Sequence, residues 1–361
     1  MEDHLTAVVV ATNGFPKTDP FLPEWAGAPR PDQLQGTWAE RLSEIAGRVC
    51  YDSFGKGRSS KEYHHHILEV GHGSVYEHAT TSFYVHQNVE DALHVFMQRP
   101  GVHLRKVASG SLAVTMNLRA MIEFGKWTTP LHRQLVKSAH LKRIAARVRA
   151  TLDKITPEVS LNLPPVEGWE SVTPFQTMAP ATDDEKWASL LLTCSRNCSH
   201  ELVRHGDFTA ISQRSTRYVN ESESPLVPHP LLERYPYPKW SDLNSSEFVK
   251  SGRDLYSDLC EHFEQSLTAD NVPSGLVRKQ ARGAARVALS GALKTELMFS
   301  ASVTQWKRMI AQRLSIHADA EIRVLFGKVL TALRGSDFSD RFNNVALCQA
   351  ADGIGLHATL I

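Results

Sequence analysis

The chain has 361 residues, 42% hydrophobic and 22% charged, the balance of an ordinary globular protein with room for a sizeable core. Forty basic residues face 39 acidic ones, a formal net charge of +1, which argues against a general binder of nucleic acid and leaves local arginine clusters to read small anions such as phosphate esters. Five scattered cysteines (Cys50, Cys194, Cys198, Cys260, Cys348) build no disulfide scaffold and are read as reduced thiols. The first residues lack a signal-peptide pattern and no apolar run is long enough to span a bilayer, so a cytoplasmic protein without a membrane partner is expected.

Residues 5–12, LTAVVVAT, are β-branched and run into Asn-Gly, which predicts a strand. Apolar spacing predicts a helix within 33–54, broken at Gly55 and Gly57, then a Ser-capped helix over SSKEYHHHILEV. Its histidines, His64 to His66, point three ways around a helix and cannot share one metal; no metal site is expected. A glycine-rich break at 71–73 precedes the predicted strand TTSFYV. Further on, VEDALHVFMQRP reads as helix and GSLAVTMNLRAMIEFGKW as a strand running into a helix. LHRQLVKSAHLKRIAARVRATLDKI (131–155) reads as a long basic helix, and a proline-containing connector without period follows. EKWASLLLTCSRNCSHELVRHG (185–206) carries a helical pattern closed by Gly206. PSGLVRKQARGAARVAL reads as an amphipathic helix, KTELMFSAS as a strand, and 303–333 as one long helix. Residues 112–124 and 297–310 share a strand-then-helix rhythm. Helices cluster rather than alternate with strands, so the predicted class is α+β: a core from 1–86 and 188–361, interrupted by a mostly helical insertion at 87–187.

GKGRSSK (55–61) lacks the spacing of a phosphate loop, and neither GxGxxG nor GxSxG occurs. The stretch RHGDFTAISQRSTRYV (204–219) is richer. Arg204 and His205 end a helix, and in an extended segment Gln213, Ser215 and Arg217 share one face while Arg214 projects elsewhere. Arginine forks bind phosphate bidentately. The competing reading is a network tying the loop to Glu201, Glu221 and Glu223, and both stay open at this level. RLSIHADAEIR (313–323) puts Arg313 and His317 four apart on one predicted helix face. GHGSVYEH (71–78) offers His72, Ser74 and His78 beside glycines that permit close backbone approach.

Together these segments resemble the flavin-dependent thymidylate synthases. GRVCYDS (47–53), GHGSVYEHATTSFYV (71–85), SRNCSHELVRH (195–205), SQRSTRYV (212–219), RKQARGAARVAL (278–289) and WKRMIAQRLSIHADAEIR (306–323) follow in the family's order. The resemblance implies methylation of dUMP at C5 to dTMP. Methylenetetrahydrofolate would give the one-carbon unit and FAD, reduced by NADPH, the reducing equivalents, in a homotetramer with active sites between subunits. By position it implies that Glu201, Arg204, Gln213, Arg214, Ser215, Thr216, Arg217, Arg286 and Arg313 hold the nucleotide. Arg313 would polarise the uracil ring and Ser215 would orient the nucleotide. Ser74, His78, Arg204, His205, Gln213, Arg308 and His317 would face the flavin.

Two family features are altered. Arg-His-Arg is here Arg204-His205-Gly206, and the Asn-x-Arg before the final helix is Ser302-Val303-Thr304. Asn117-Leu118-Arg119, in the predicted insertion, has the missing spacing, so the flavin contact is expected to have moved to Asn117 and Arg119. The same departures leave room for UMP in place of dUMP, for hydroxymethylation, or for a nucleotide-binding protein that has lost flavin.

Overall fold

The computed structural model describes residues 4–12, 15–16, 34–86, 89–97, 100–107, 110–126, 139–163, 172–206, 209–235, 247–350, 354 and 356–360. β1 (Thr6–Thr12) and β2 (Phe15–Pro16) come first. α1 (Trp38–Tyr51) starts at a full capping box, Thr37 with Glu40, and stops where Asp52 turns left-handed at φ 46°. α2 (Ser60–Glu69) starts at a second box, Ser59 with Glu62. A 3-10 turn (Gly73–Glu77) leads into β3 (Thr80–Val85). Next come α3 (Val89–Phe96), β4 (Val102–Lys106), β5 (Leu112–Asn117), α4 (Leu118–Lys126) and α5 (Ala139–Ile155). Of the basic helix expected over 131–155, residues 131–138 lie outside the described residues. α6 (Pro157–Ser160), β6 (Gln176–Thr177), β7 (Trp187–Ser195), α7 (Arg196–Leu202), β8 (Thr209–Gln213) and α8 (Pro230–Arg234) follow. The described chain closes with α9 (Glu247–Ala269), α10 (Ser274–Ala285), β9 (Lys294–Ser302), α11 (Val303–Arg313), α12 (Ala320–Arg334), β10 (Val345–Gln349) and β11 (Leu356–Leu360).

The architecture is α+β. One antiparallel sheet has the order β2-β1-β7-β9-β8, a second the order β4-β5-β3-β6, and β10 and β11 form a separate ladder. Each sheet anchors a hydrophobic core. Around the second sheet, Phe83, Val114, Phe96, Met121 and Val148 pack with Ile45 and Val49 of α1. Around the first, Leu190, Leu192, Leu297 and Phe299 pack under Trp306, Phe326 and Leu330 of α11 and α12. The first sheet touches both cores, because Leu191 and Met298 point the other way, into the core that holds α1. Among the described residues, no helix is long and apolar enough to cross a membrane.

Three sequence expectations are corrected. Residues 187–195 are a strand, not the start of a helix; all nine side chains are buried, so the run shows no polar face by which strand and helix could be told apart. The helix that follows begins at Ser195, whose hydroxyl accepts from the Cys198 amide, and ends at Leu202, four residues short of Gly206. Residues 303–333 form two helices: α11 stops at Leu314, and Asp319 caps α12 by accepting from the Glu321 amide.

Candidate functional site

β8 delivers Gln213 to the end of the first sheet, and the chain then leaves the extended conformation. The Ser215 amide donates to the Cys50 carbonyl (2.8 Å) and the Val219 amide to the Ser215 carbonyl (3.0 Å). The strand alternation expected to align Gln213, Ser215 and Arg217 therefore ends at Gln213. That glutamine donates to Ser199 Oγ (2.8 Å) and Thr295 Oγ1 (3.2 Å), which locks its amide against α7 and β9. Arg214 follows the network reading: its guanidinium lies 3.3 Å from Glu221, 3.7 Å from Asp52 and 3.7 Å from Glu296. Burial works against its charge, yet Glu221, Glu296 and Asp52 together hold its pKa above the ordinary value. Arg214 thus ties the loop to these carboxylates. Thr216 is buried, Ser215 half-buried and Arg217 exposed, with the Arg217 amide donating to Ser215 Oγ (3.4 Å).

Arg313, the last residue of α11, donates through Nε to His205 Nε2 (2.8 Å), through Nη1 to Glu201 Oε2 (2.7 Å) and through Nη2 to the Glu201 carbonyl (2.9 Å). Accepting at Nε2 makes His205 the neutral tautomer with its proton on Nδ1. Burial and the Arg313 charge both lower its pKa. The expected pairing of Arg313 with His317 on one helix face fails, since His317 is exposed in the turn beyond α11. Arg204, Arg286 and Arg308 are exposed. Arg286 lines a cavity of about 460 Å³ with Arg196, His200 and Thr216.

His78 sits inside the molecule. Nδ1 contacts Ser300 Oγ (2.8 Å), Nε2 contacts Ser212 Oγ (2.9 Å), and Ser300 passes the chain on to Ser189 (2.6 Å). Burial pushes its pKa down to about 3. Ser74 is exposed on the 3-10 turn. Asn117 caps α4, its Oδ1 accepting from the Ala120 amide (2.8 Å), and packs against Gly101, where any side chain would overlap it. Arg119 is half-exposed and paired with Glu77 (2.5 Å) and Glu123 (3.1 Å).

The strongest ligand-shaped feature joins His72, already marked in the sequence, to residues that lay near it or inside the quoted segments without being singled out. A cavity of about 490 Å³ is lined by Tyr51, His72 and Tyr218 together with Lys56, Arg58 and Arg278. Tyr51 and His72 stack at 5.6 Å with an interplanar angle of 19°, tied by a 2.6 Å bond from the Tyr51 hydroxyl to Nδ1, and Tyr218 meets Tyr51 edge-on at 5.0 Å. Lys279 Nζ lies 5.3 Å from the centre of the Tyr218 ring. Burial, then the charges of Lys279, His66 and Arg217, lower the His72 pKa, so the ring is neutral near pH 7. No carboxylate is among the described residues lining this cavity. A smaller cavity of about 230 Å³ across α7 is lined by Glu201, Asp319 and Glu321 and would repel an anion.

The cavity sets aromatic faces beside exposed cationic side chains, a lining whose chemistry suits a small, planar, negatively charged molecule. The family model described as thymidylate synthase complementing protein matches residues 34–97 and 187–336, and the chain belongs to that family. The flavin-dependent thymidylate synthase of Mycolicibacterium vanbaalenii is 41% identical over 133 residues, 36% of this chain and 50% of that protein. That of Mycolicibacterium gilvum is 40% identical over 163 residues, 44% of this chain and 62% of that protein. The chain thus spans about half the length of the first of these relatives and less than two thirds of the second. The crystal structure of thymidylate synthase X from Helicobacter pylori with FAD and dUMP is similar at a TM-score of 0.30 and 20% identity, covering 44% of this chain and 74% of that one.

Proposed function

We propose that the chain is an enzyme that methylates dUMP at C5 to give dTMP, taking the one-carbon unit from methylenetetrahydrofolate and reducing equivalents from NADPH through FAD. The observation that carries this reading is the cavity of Tyr51, His72 and Tyr218 ringed by Lys56, Arg58 and Arg278, with Tyr218 following Arg217 in the chain and bonded through its amide to the Ser215 carbonyl. Its aromatic faces suit a pyrimidine or flavin ring and its cations suit the phosphates, so the residues present fit both nucleotides. FAD, when bound, supplies the electrons.

The thiols give indirect support. C5 of uracil is a poor nucleophile, and adding a thiolate to C6 is one way to activate it. Neither candidate here offers a thiolate near neutral pH. Cys198 is held well above the ordinary range by its contact with Cys194 and by burial, and Cys50 is pushed up to about 11 by burial. Ring polarisation by an arginine needs no thiol. Among the described residues Arg313 has three of its five N–H donors engaged, on Glu201 and His205, leaving two for a uracil carbonyl. Arg204, Arg286 and Arg308, exposed and absent from the lining of the Tyr51–Tyr218 cavity, suit contacts made across a subunit boundary in a homotetramer.

The visible absorbance of the purified protein, before and after adding FAD and removing the excess, tests the reading. Flavin bands near one per chain that shift on adding dUMP are expected, with a smaller shift for UMP. A colourless protein that still binds dUMP would replace the enzyme with a nucleotide-binding protein.

A further inference from the structure

Two stretches of the chain repeat one plan. β3-α3-β4-β5-α4-α5 and β7-α7-β8-β9-α11-α12 have the same order of strands and helices, the second with α8 to α10 looped out between β8 and β9. Both place the third strand between the other two, as β4-β5-β3 and β8-β9-β7, antiparallel throughout. The registers coincide. The first residue of the first strand faces the residue that caps the following helix, Thr80 opposite Asn117 and Trp187 opposite Ser302. The residue before each cap faces the start of the second strand, Met116 opposite Val102 and Ala301 opposite Thr209. The interval from Thr80 to Val102 equals that from Trp187 to Thr209. Both caps accept from the amide three residues on, Ala120 and Gln305. Shared order, pairing, register and interval without a gap are what a duplicated segment leaves behind.

The two copies differ where ligand chemistry is concerned. In the common register Lys106 stands where the second copy has Gln213, and no arginine lies between Lys106 and the start of β5 at Leu112, so the first copy lacks the arginine-rich segment that follows Gln213. At the capped corner the order reverses: the first copy has Arg119 where the second has Thr304. The segments that carry the two distinguishing arginines both reach the His72–Gly73 stretch. The Arg119 side chain passes Gly73, its Nε 3.7 Å from where a β-carbon would stand, and pairs with Glu77. From the end of β8, Tyr218 brings its ring within 6.3 Å of the His72 ring, and its chain neighbour Arg217 runs past Gly283, 3.7 Å from where a β-carbon would stand. The Gly73–Glu77 turn itself packs on both α4 and β8, and His78 just beyond it bonds Ser212 of β8.

We infer that the chain is an internal duplication whose copies have divided one ligand site, the first contributing Arg119 and the second Arg217, on either side of the His72–Gly73 segment. The ligand is a nucleotide with a planar ring, and the inference rests on the flavin reading above in taking FAD as the one that reaches Arg119. Asn117 is a helix cap in this arrangement, so within the Asn117–Arg119 pair only Arg119 contacts the ligand. Copy two's corner, with Ser302 and Thr304, is structural.

FAD and dUMP titrations on the full chain test this with Arg119→Ala, Arg119→Lys, Arg217→Ala and Thr304→Ala. Loss of a charge-assisted contact predicts FAD binding weakened about tenfold or more by Arg119→Ala and partly restored by Arg119→Lys, with dUMP affinity little changed. Thr304→Ala should bind both as the unaltered chain does. Normal FAD affinity in Arg119→Ala, with an unchanged melting temperature, overturns the division of the site and leaves the function intact. An equal loss in Thr304→Ala overturns it as well. An unaltered chain that binds neither nucleotide removes the proposed function and the divided site together.

Discussion

Arg214 and Arg217 are three residues apart in one arginine-rich segment and have opposite surroundings. The Arg214 side chain is 21% exposed and faces three carboxylates, of which Glu221 and Glu296 are almost wholly buried. Replacing it with leucine leaves Glu221 without a counter-charge and Glu296 with Lys294 alone, 3.3 Å away. Arg214→Leu should therefore cost about 2–3 kcal/mol in urea unfolding at pH 7, below the range for fully buried pairs because the arginine keeps some solvent. Arg217→Ala should stay within about 0.5 kcal/mol of the unaltered chain and instead lose affinity for dUMP. Equal stability of the two variants would return Arg214 to the ligand site. His78 sets a pH dependence. Its pKa falls from 6.5 in the unfolded chain to about 3 in the fold because it is buried, and His64 falls to about 4 for the same reason. Both are neutral in the fold, so their contribution to stability is complete above pH 6.5 and is lost as pH drops, each binding a proton only on unfolding. Each adds a slope of about 1.4 kcal/mol per pH unit between those limits. His78→Asn keeps hydrogen bonds to the two serines possible and should remove one such slope between pH 6 and 4.5; an unchanged slope would mean that the imidazole is charged or solvated in the fold.

The helices α1 and α2 meet at Gly47, a glycine in a helix interior where propensity favours alanine by about 1 kcal/mol. Packing decides otherwise. A β-carbon there would overlap the hydroxyl of Tyr63 and stand 3.2 Å from Val75 Cγ1, and Tyr63 is 3% exposed. Gly47→Ala should lose about 1–3 kcal/mol rather than gain any. Tyr63→Phe added to it should recover part of the loss, since the Tyr63 hydroxyl has no hydrogen-bond partner among the described residues. No recovery would place the strain in the backbone of α1. The sequence pattern marked the start of α2 at its Ser cap, because a capping box such as Ser59 with Glu62 acts within four residues, and placed α1 only within 33–54, where the Thr37–Glu40 box fixes its start. It failed at β7, whose nine buried residues carry no period, and at the α11–α12 break, where Asp319 reads as one more surface acid until its amide partner is seen. The site divides along the same line. The segments around Tyr51, His72 and Arg217 stood out as motifs, but the partners that Arg214, Gln213 and His78 meet inside the fold, Glu296, Thr295 and Ser300, lie more than eighty residues away along the chain.

The two cores share one sheet, and that governs how the whole chain unfolds. Along β7 adjacent leucines serve different cores, Leu191 the one around α1 and Leu190 the one under α11 and α12, and β9 repeats the alternation with Met298 and Phe299. β1 does the same from the start of the chain, Val10 and Ala11 on one side and Val9 on the other. α1 packs on β8 and β9 as well as on the turn before β3, and His78 bonds serines on two strands of the first sheet. Neither core keeps its floor if the sheet opens, so the two should melt together. Leu190→Ala and Leu191→Ala each remove a fully buried side chain and should each cost about 3 kcal/mol. The informative readout is hydrogen exchange at β5, deep in one core, and at α12, deep in the other. If the sheet couples them, Leu191→Ala speeds exchange in α12 as much as in β5, by about a hundredfold, and Leu190→Ala does the same in reverse. Acceleration confined to the core that lost its leucine would make the two repeats separate folding units joined at a sheet. The site between Arg119 and Arg217 would then open whenever either one did.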